Sequence, residues 1–273
     1  MVPPARRTFR PNLTDAYGHA LWDYLHSKGR GYEIVERDDG YVDVSGGRGM
    51  YLAAYPDWPP RHRQAIRYAK GRVLDVGCGA GRHALYLQGR GLDVLGIDTS
   101  PLAVTVCQRR GLKHARVMSI AQVGPALGIF TTVLMLGNNF GLFGDRRGAR
   151  RILKRLHAMT GADARIVAET IDIYQTDNPF HLPYHRRNWR RGRMTGQVRM
   201  RVRYQTYATP WFDYLFVSRD EMQRLLRGTG WAVKQFIPRR GPLYVAVIVK
   251  ARSVPAARNR RAGHEALRRW MPS

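Results

Sequence analysis

The feature that most constrains the fold of this chain is a short apolar segment that runs directly into a glycine-rich turn. Residues 73–76, Val-Leu-Asp-Val, have the composition of a buried strand, and Gly77, Gly79 and Gly81 follow at alternate positions. Glycine permits the left-handed backbone of a tight turn and lets a ligand approach the amide groups without Cβ atoms in between. The N-terminus of a following helix adds partial positive charge. The pattern predicts a strand, loop and helix that bind a bulky cofactor.

Short apolar and longer amphipathic segments alternate from this turn to about residue 250. This pattern is typical of an α/β fold, in which a doubly wound, mostly parallel sheet is covered by helices. We predict seven strands in one sheet, at 72–76, 93–97, 115–118, 131–136, 165–171, 232–237 and 244–249. We predict helices at 82–88, 101–110, 148–159 and 219–228. Such a sheet binds ligands at the carboxyl ends of its strands.

Three segments lie outside this alternation and set the predicted domain boundaries. Residues 1–60 form an N-terminal, partly helical extension, which we expect to close over the cofactor or substrate as a lid. Residues 61–250 form the main domain, which is interrupted after the fifth strand by a β-rich insertion at 178–212. Within the insertion, 197–204 alternates polar or charged with apolar residues, which predicts a strand with one arginine face. A basic tail follows at 251–273.

Two acidic residues distinguish this glycine loop from that of a dinucleotide-binding oxidoreductase. The spacing is Gly-x-Gly-x-Gly rather than Gly-x-Gly-x-x-Gly. Asp75, at the strand end before the loop, would lie badly beside a pyrophosphate but well beside the ammonium group of an amino acid. Asp98 closes the next strand, where a carboxylate accepts both hydroxyls of an adenosine ribose.

These residues resemble the first two motifs of class I S-adenosylmethionine-dependent methyltransferases. The first motif resembles 74–81, Leu-Asp-Val-Gly-Cys-Gly-Ala-Gly, and the second resembles 96–100, Gly-Ile-Asp-Thr-Ser. The resemblance extends over about 61–250 and implies S-adenosylmethionine as the cofactor. Ser119 stands where many members of the family have an acidic residue. The implied cofactor-binding residues are Asp75, Gly77, Gly79, Gly81, Asp98, Thr99, Ser119, Ile120, Leu136 and Gly137.

The loop after the fourth strand and the insertion contain the candidates for the acceptor side. Residues 135–141 resemble the asparagine and phenylalanine loop of methyltransferases that act on small molecules, and they lack the consecutive prolines of enzymes that methylate base amines. An imidazole titrates near neutral pH and a phenol can orient an acceptor. The candidate catalytic residues are Asn138, His181, Tyr184 and His185. The alternatives are that Asn138 only shapes a turn and that the other three are structural.

The net charge of +26, from 46 basic and 20 acidic residues, leaves the partner open. Such a field attracts anions of every kind, nucleic acids included. All but six of the basic residues are arginines, a bias that the codon composition of a GC-rich genome would also produce. The insertion has eight arginines and no acid. Three of them, Arg199, Arg201 and Arg203, either bind an anionic acceptor or form a solvated strand edge.

Composition excludes several classes of protein. A chain of 273 residues with 44% hydrophobic side chains folds around a sizeable core. Two cysteines cannot build a disulfide framework, and no Cys/His cluster has zinc-site spacing, so we expect a cytoplasmic protein without a metal. The longest apolar run, 129–136, is too short to span a membrane, and the N-terminus shows no apolar signal core.

The sequence therefore predicts an enzyme, a methyltransferase that acts on a small molecule by in-line transfer. One alternative is an RNA or ribosomal-protein methyltransferase, which the charge favours and the lack of a recognisable RNA-binding module disfavours. A second alternative is a binding protein that keeps the nucleoside pocket without catalysis.

Overall fold

The structure is a computed structural model that describes residues 12–26, 32–238 and 240–251. Apart from Ala251, the predicted tail lies outside the described residues, as do residues 1–11 of the predicted extension. The helices α1 to α8 are Ala16–Leu25, Arg48–Leu52, Pro60–Ala65, Arg82–Gly89, Pro101–Arg109, Arg146–Ala158, Leu182–Arg190 and Arg219–Leu226. The strands β1 to β12 are Glu33–Arg37, Val42–Ser45, Val73–Val76, Val94–Asp98, His114–Val117, Phe130–Met135, Thr160–Ile171, Gln197–Tyr204, Tyr207–Ala208, Phe212–Leu215, Trp231–Ile237 and Leu243–Lys250.

Seven of the strands form the central sheet in the order β5-β4-β3-β6-β7-β12-β11. The strands from β5 to β7 run parallel, whereas β12 runs antiparallel to both of its neighbours. The predicted α/β fold with a mostly parallel, seven-stranded sheet is therefore confirmed. Strands β3 and β6 are neighbours at the point where the strand order reverses. Their carboxyl ends mark the crevice in which open α/β sheets bind ligands.

The central strands are mostly apolar because helices cover both faces of the sheet. Every residue of β3 and β4 is buried, and the 13-residue helix α6 buries one apolar stripe, including Ile152, Leu153 and Leu156, on the sheet. The helices begin at the expected caps: the Ser100 side chain accepts from the third residue of α5, and Ser218 forms a capping box with Glu221. In the described part of the chain, no helix combines the length and apolar character needed to cross a membrane.

A second, antiparallel sheet joins the N-terminal extension to the insertion. Strand β1 pairs with β2 on one side and with β8 on the other, and β8 also pairs with β9 and β10. The strand predicted at 197–204 is β8, and its Arg203 lies opposite Ile34 of β1. We call the described residues 12–26, 32–52 and 178–215 the cap, because two segments that are distant in sequence build one layer.

Helix α1 attaches the cap to the central sheet beside the end of β4. The Asp15 side chain caps α1 by accepting from Gly18 N (3.0 Å), and its other oxygen accepts from Leu102 N in the first turn of α5 (3.1 Å). A Cβ on Gly18 would lie 2.3 Å from Ser100 Oγ, so the two helices meet at a distance that only glycine permits. The cap is thus fixed over the carboxyl edge of the sheet.

Candidate active site

The glycine loop between β3 and α4 folds against the end of β4. Gly77, Gly79 and Gly81 have φ of 68°, 56° and 77°, left-handed values that strain any residue with a Cβ. The amides of Gly77 and Cys78 both donate to the Ile97 carbonyl oxygen, at 2.8 and 3.0 Å. These bonds hold the turn tight and bring Gly79 next to the carboxylate that ends β4.

Asp98 is that carboxylate, and its orientation is fixed by two backbone amides. Its Oδ2 accepts a hydrogen bond from Gly79 N and its Oδ1 accepts one from Ser100 N, both at 3.0 Å. Thr99, which lies between Asp98 and Ser100 in the sequence, is exposed. Burial raises the pKa of Asp98, and the two backbone hydrogen bonds oppose that rise. A carboxylate has about four acceptor positions, so Asp98 retains capacity for a diol.

Asp75 lies in the middle of the buried β3 and has one oxygen without a partner. No group among the described residues donates to its Oδ2, although the residue is only 2% exposed. Burial, followed by the negative charge of Asp98, raises the pKa of Asp75 to about 7. An unpaired buried carboxylate beside a glycine cradle fits a ligand that brings a positive charge, as the ammonium group of S-adenosylmethionine does.

The raised pKa of Asp75 predicts a pH effect on stability. A carboxyl group whose pKa is higher in the folded protein than in the unfolded chain stabilises the fold most below its ordinary pKa, and this contribution is lost as pH rises through about 7. We therefore expect Asp75→Asn to lose less thermal stability than the wild type between pH 5 and pH 8, without ligand. Melting curves of both proteins and of the surface control Asp163→Asn measure this. Identical pH profiles for Asp75→Asn and the wild type would contradict it.

The loop after β6 faces the glycine loop and is shaped by its asparagines. Leu136 is buried, Gly137 and Asn138 have φ of 76° and 65°, and Asn138 is in the left-handed region as the turn interpretation predicts. The Asn139 side chain donates to the carbonyl oxygens of Val76 and Gly77, both at 2.9 Å. Asn138 Oδ1 is buried and has no hydrogen-bond partner among the described residues, so it is free to accept a hydrogen bond from a bound methyl acceptor.

Glu169 of β7 binds the backbone of this loop, and it belongs to none of the motifs that predicted the site. Its carboxylate is 1% exposed and accepts from the amides of Gly137 (2.6 Å) and Asn138 (3.2 Å). It also pairs with Arg61 at 2.6 Å and His62 at 2.9 Å. Burial raises its pKa, but these two partners outweigh burial and bring the pKa to about 2. An ionisable residue within an apolar strand was the signal that could have revealed it.

The same network reaches the glycine loop through Arg82, the first residue of α4. Its guanidinium donates to His62 Nδ1 (3.1 Å), to His83 Nε2 (3.2 Å) and to the carbonyl oxygen of Met50 in the cap. Because arginine only donates, His62 Nδ1 accepts, and the proton on Nε2 is donated to Glu169. Burial, then the charge of Arg82, lowers the pKa of His83 well below its ordinary value. The network therefore joins α3, α4, β7 and the cap around one carboxylate.

The cap covers the glycine loop with tyrosines. A Cβ on Gly79 would lie 2.7 Å from the hydroxyl oxygen of Tyr17 in α1, so this phenol lies directly over the loop. The Tyr17 ring packs edge-on against Tyr51 of α2, with 5.4 Å between centroids. On the other side, the Tyr214 hydroxyl donates to the Asn138 carbonyl oxygen at 2.7 Å. Both cap segments thus contact the loops at the carboxyl edge.

Ser119 and Ile120, two of the implied cofactor-binding residues, follow the end of β5. Ile120 is buried, and Ser119 is partly exposed. The Gln122 side chain accepts from Ser119 N at 2.8 Å, while the Ser119 hydroxyl accepts from Ala121 N. These two residues therefore begin a short capped 3₁₀ turn at the same edge of the sheet as Asp98.

The three predicted catalytic residues of the insertion lie within the cap, where Tyr184 and His181 contact the β1–β2 hairpin. Tyr184 donates to Asp38 at 2.7 Å and accepts from Arg199 N at 3.1 Å. His181 pairs with Arg37 at 3.1 Å. Burial lowers the pKa of His185 to about 4, with smaller effects from the neighbouring charges. The hydrogen bonds of Tyr184 and His181 to described residues join cap elements to each other, and the catalytic role of all three residues stays a prediction.

The arginine face of β8 is partly neutralised by acids from neighbouring strands. Arg201 forms a two-point pair with Glu36 of β1, at 2.8 and 3.1 Å, and Arg203 contacts the same carboxylate at 3.4 Å. Arg199 is 4.0 Å from Asp213 of β10. The insertion at 178–212 contains no acid, but neighbouring strands place Glu36 and Asp213 beside its arginines. These two acids weaken the case for this face as an anion-binding site.

Comparison with known proteins agrees with this geometry. A family model described as a methyltransferase domain matches residues 73–162. The fold is similar to an S-adenosylmethionine-dependent methyltransferase from Bacteroides fragilis solved with S-adenosyl-L-homocysteine: the TM-score is 0.73 and the identity 25%, over 89% of this chain and 97% of that one. A methyltransferase from Methanosarcina mazei has the same fold, with a TM-score of 0.54 and 16% identity over 71% and 98%.

Curated relatives match a smaller part. A tRNA U34 carboxymethyltransferase from Pseudoalteromonas translucida is 33% identical over 130 residues, 44% of this chain and 38% of that protein. The enzyme of the same name from Shewanella baltica is 33% identical over 142 residues, 48% and 41%. The matched region thus spans about two fifths of these relatives. The motifs, the sheet order and the methyltransferase-domain match together indicate a class I S-adenosylmethionine-dependent methyltransferase.

Proposed function

We propose that this enzyme transfers a methyl group from S-adenosylmethionine to a small molecule that binds between the glycine loop and the cap. The observation that carries the proposal is the contact of Tyr17 with the loop at Gly79. A reaction site covered by a protein layer excludes water and suits a small acceptor better than a folded polymer.

The cofactor would be held by the residues that the motifs predict. Asp98 would accept the ribose hydroxyls, the glycine loop would pass beneath the methionine part, and the unpaired oxygen of Asp75 would attract its ammonium group. Ile120 would pack on the adenine and Ser119 would lie at its edge. When bound, S-adenosylmethionine supplies a methyl group that the positive sulfur already activates.

The remaining work of the protein is alignment. In-line transfer requires the acceptor atom, the methyl carbon and the sulfur to lie on one line, and orientation of this kind lowers barriers by up to roughly 7–11 kcal/mol. The loop at Asn138 is held rigid for this purpose by Glu169 below and by the Tyr214 hydroxyl from the cap. Asn138 Oδ1 would accept a hydrogen bond from the acceptor.

Asp98→Ala is expected to weaken S-adenosylhomocysteine binding by roughly tenfold or more, because the ribose would lose charge-assisted hydrogen bonds worth about 1.5–3 kcal/mol each. Calorimetry with the wild type, Asp98→Ala and the exposed control Asp163→Ala measures it. Wild-type protein that gives heat with NADH and none with S-adenosylmethionine or S-adenosylhomocysteine would show that the cofactor assignment is wrong.

A second candidate is a methyltransferase of RNA. It is favoured by the curated relatives, whose name specifies a tRNA base, and by the net charge of +26. The name of these relatives also suggests transfer of a carboxymethyl group as an alternative to transfer of a methyl group. The mass added to the acceptor would distinguish the two reactions.

Labelled S-adenosylmethionine separates the two candidates. Bulk tRNA and a small-molecule extract are offered to the enzyme in turn, at low and at physiological salt, because binding that depends on phosphate charge alone falls steeply with salt. Label in the small-molecule fraction supports the proposal. Label in tRNA that persists at physiological salt replaces it with the second candidate.

A further inference from the structure

Glu33, the first residue of β1, is a buried acid that has no role in the proposed binding of the cofactor or the alignment of the acceptor. It is 1% exposed. Its Oε2 accepts from Gly47 N at 3.2 Å, and no described residue donates to its Oε1. A Cβ on Gly46 would lie 1.6 Å from Oε2, and the φ of Gly46 is +81°. The two glycines after β2 therefore wrap the backbone closely around this carboxylate.

The surroundings of Glu33 are aromatic. A Cβ on Gly46 would lie 2.7 Å from the Tyr51 ring as well as close to Glu33, so this ring lies beside the carboxylate. Tyr17 and Tyr24 pack against Tyr51, and Tyr204 packs against Tyr24. Burial raises the pKa of all four tyrosines, and the charge of Glu33 adds to that rise. The ring of Tyr24 stacks on Tyr51 at 6.3 Å and meets Tyr204 edge-on at 6.1 Å between centroids. We call these four residues the tyrosine cluster. Aromatic faces attract cations, and a carboxylate among them strengthens that attraction.

Within the described part of the chain, Glu33 also lacks a basic partner. The chain has 46 lysines and arginines, yet none of the ion pairs among the described residues includes this acid. By contrast Glu36, three residues along the same strand, pairs with both Arg201 and Arg203. Burial raises the pKa of Glu33 to about 7, and backbone hydrogen bonds oppose that rise. A buried acid without a basic partner among the described residues would be stabilised by a bound cation.

The tyrosine cluster reaches the reaction site. Tyr51 contacts Tyr17, and the Tyr17 hydroxyl lies over Gly79 of the glycine loop. A group held at Glu33 is therefore separated from the cofactor loop by one layer of side chains. Because Glu33 is closed from solvent, a group bound there would be enclosed by the cap.

We propose that Glu33 and the tyrosine cluster form a subsite for the protonated amine of the acceptor, so that the substrate is an amine-bearing small molecule. The inference rests on the proposed function and adds the chemical class of the substrate. It replaces the anionic acceptor that the arginines of the insertion suggested, because Arg199, Arg201 and Arg203 lie against acids of neighbouring strands, whereas Glu33 has no such counter-charge among the described residues.

Matched probes test the charge preference directly. Benzylamine, benzyl alcohol and phenylacetate have similar shapes and differ in charge, and each is titrated into protein saturated with S-adenosylhomocysteine. We expect benzylamine to bind most tightly to the wild type. Glu33→Gln should weaken the binding of benzylamine by roughly tenfold or more, which is the equivalent of one charge-assisted hydrogen bond. The same substitution should leave the affinity for benzyl alcohol unchanged. Glu36→Gln should alter neither.

A merely structural Glu33 would not produce this charge selectivity. Equal binding of the three probes to the wild type, or equal loss of benzylamine and benzyl alcohol in Glu33→Gln, would overturn the proposal. If Glu33→Gln does not fold, the order of the three probes in the wild type decides. S-adenosylhomocysteine binding is measured separately, so that its absence would count against the proposed function and not against the amine subsite alone.

Discussion

Replacing Glu169 by alanine is expected to lower the free energy of unfolding by about 3–5 kcal/mol, the range for removal of one partner from a buried charge pair. The substitution would leave Arg61 and the buried His62 without their acceptor, and would orphan the amides of Gly137 and Asn138. We also expect the loop at Asn138 to lose its fixed geometry. Denaturant unfolding measures the first effect, and S-adenosylhomocysteine affinity measures the second.

Asp163 provides the control, because it lies on the same strand but its side chain is 88% exposed. Asp163→Ala should change stability by no more than about 0.5 kcal/mol. The pKa of Glu169 is lowered to about 2, so its stabilisation is present above pH 4.5 and is lost as pH falls through about 2. If Glu169→Ala unfolds like Asp163→Ala, the network has no energetic role.

Gly79→Ala is expected to reduce S-adenosylhomocysteine affinity by roughly a hundredfold, about 2.7 kcal/mol. An added Cβ strains the backbone at a φ of 56°, and it would lie 2.7 Å from the Tyr17 hydroxyl oxygen. Relief of either strain moves the loop away from Asp98, whose carboxylate accepts from this amide. Calorimetry on the purified variant tests it.

Two further variants separate the causes. Gly89→Ala, in the helix that follows the loop, has open space for its Cβ and should leave affinity unchanged while stabilising α4 slightly. Tyr17→Phe removes the colliding hydroxyl, so the double variant Gly79→Ala with Tyr17→Phe should recover part of the affinity. No recovery would mean that backbone strain alone is responsible and that the cap does not press on the loop.

The central fold was predictable because its signals are local. The buried runs of β3 and β4, the glycine turn and the caps at Ser100 and Ser218 each follow from a few neighbouring residues, and each is confirmed. The cap was predicted only in pieces. The strand at 197–204 was found, but its pairing with β1 joins residues that no short pattern connects.

The candidate site divides in the same way. Asp75 and Asp98 lie inside recognisable motifs, and the structure places both at the glycine loop. Glu169 and Glu33 belong to no motif, because their surroundings come from other elements of the fold. Glu169 pairs with His62 of α3, and Glu33 lies beside the tyrosine cluster. Long-range contacts of this kind have no signature in a single sequence.

The pairing of β1 with β8 has a consequence for how the protein is made. The hairpin of β1 and β2 leaves the ribosome early, but the strand that completes its sheet, with Arg203 opposite Ile34, is synthesised only after most of the central sheet. Non-local pairing of this kind forms slowly and leaves an edge strand exposed in the meantime. During synthesis, therefore, the strands that carry the glycine loop and Asp98 can be assembled while the cap is still incomplete.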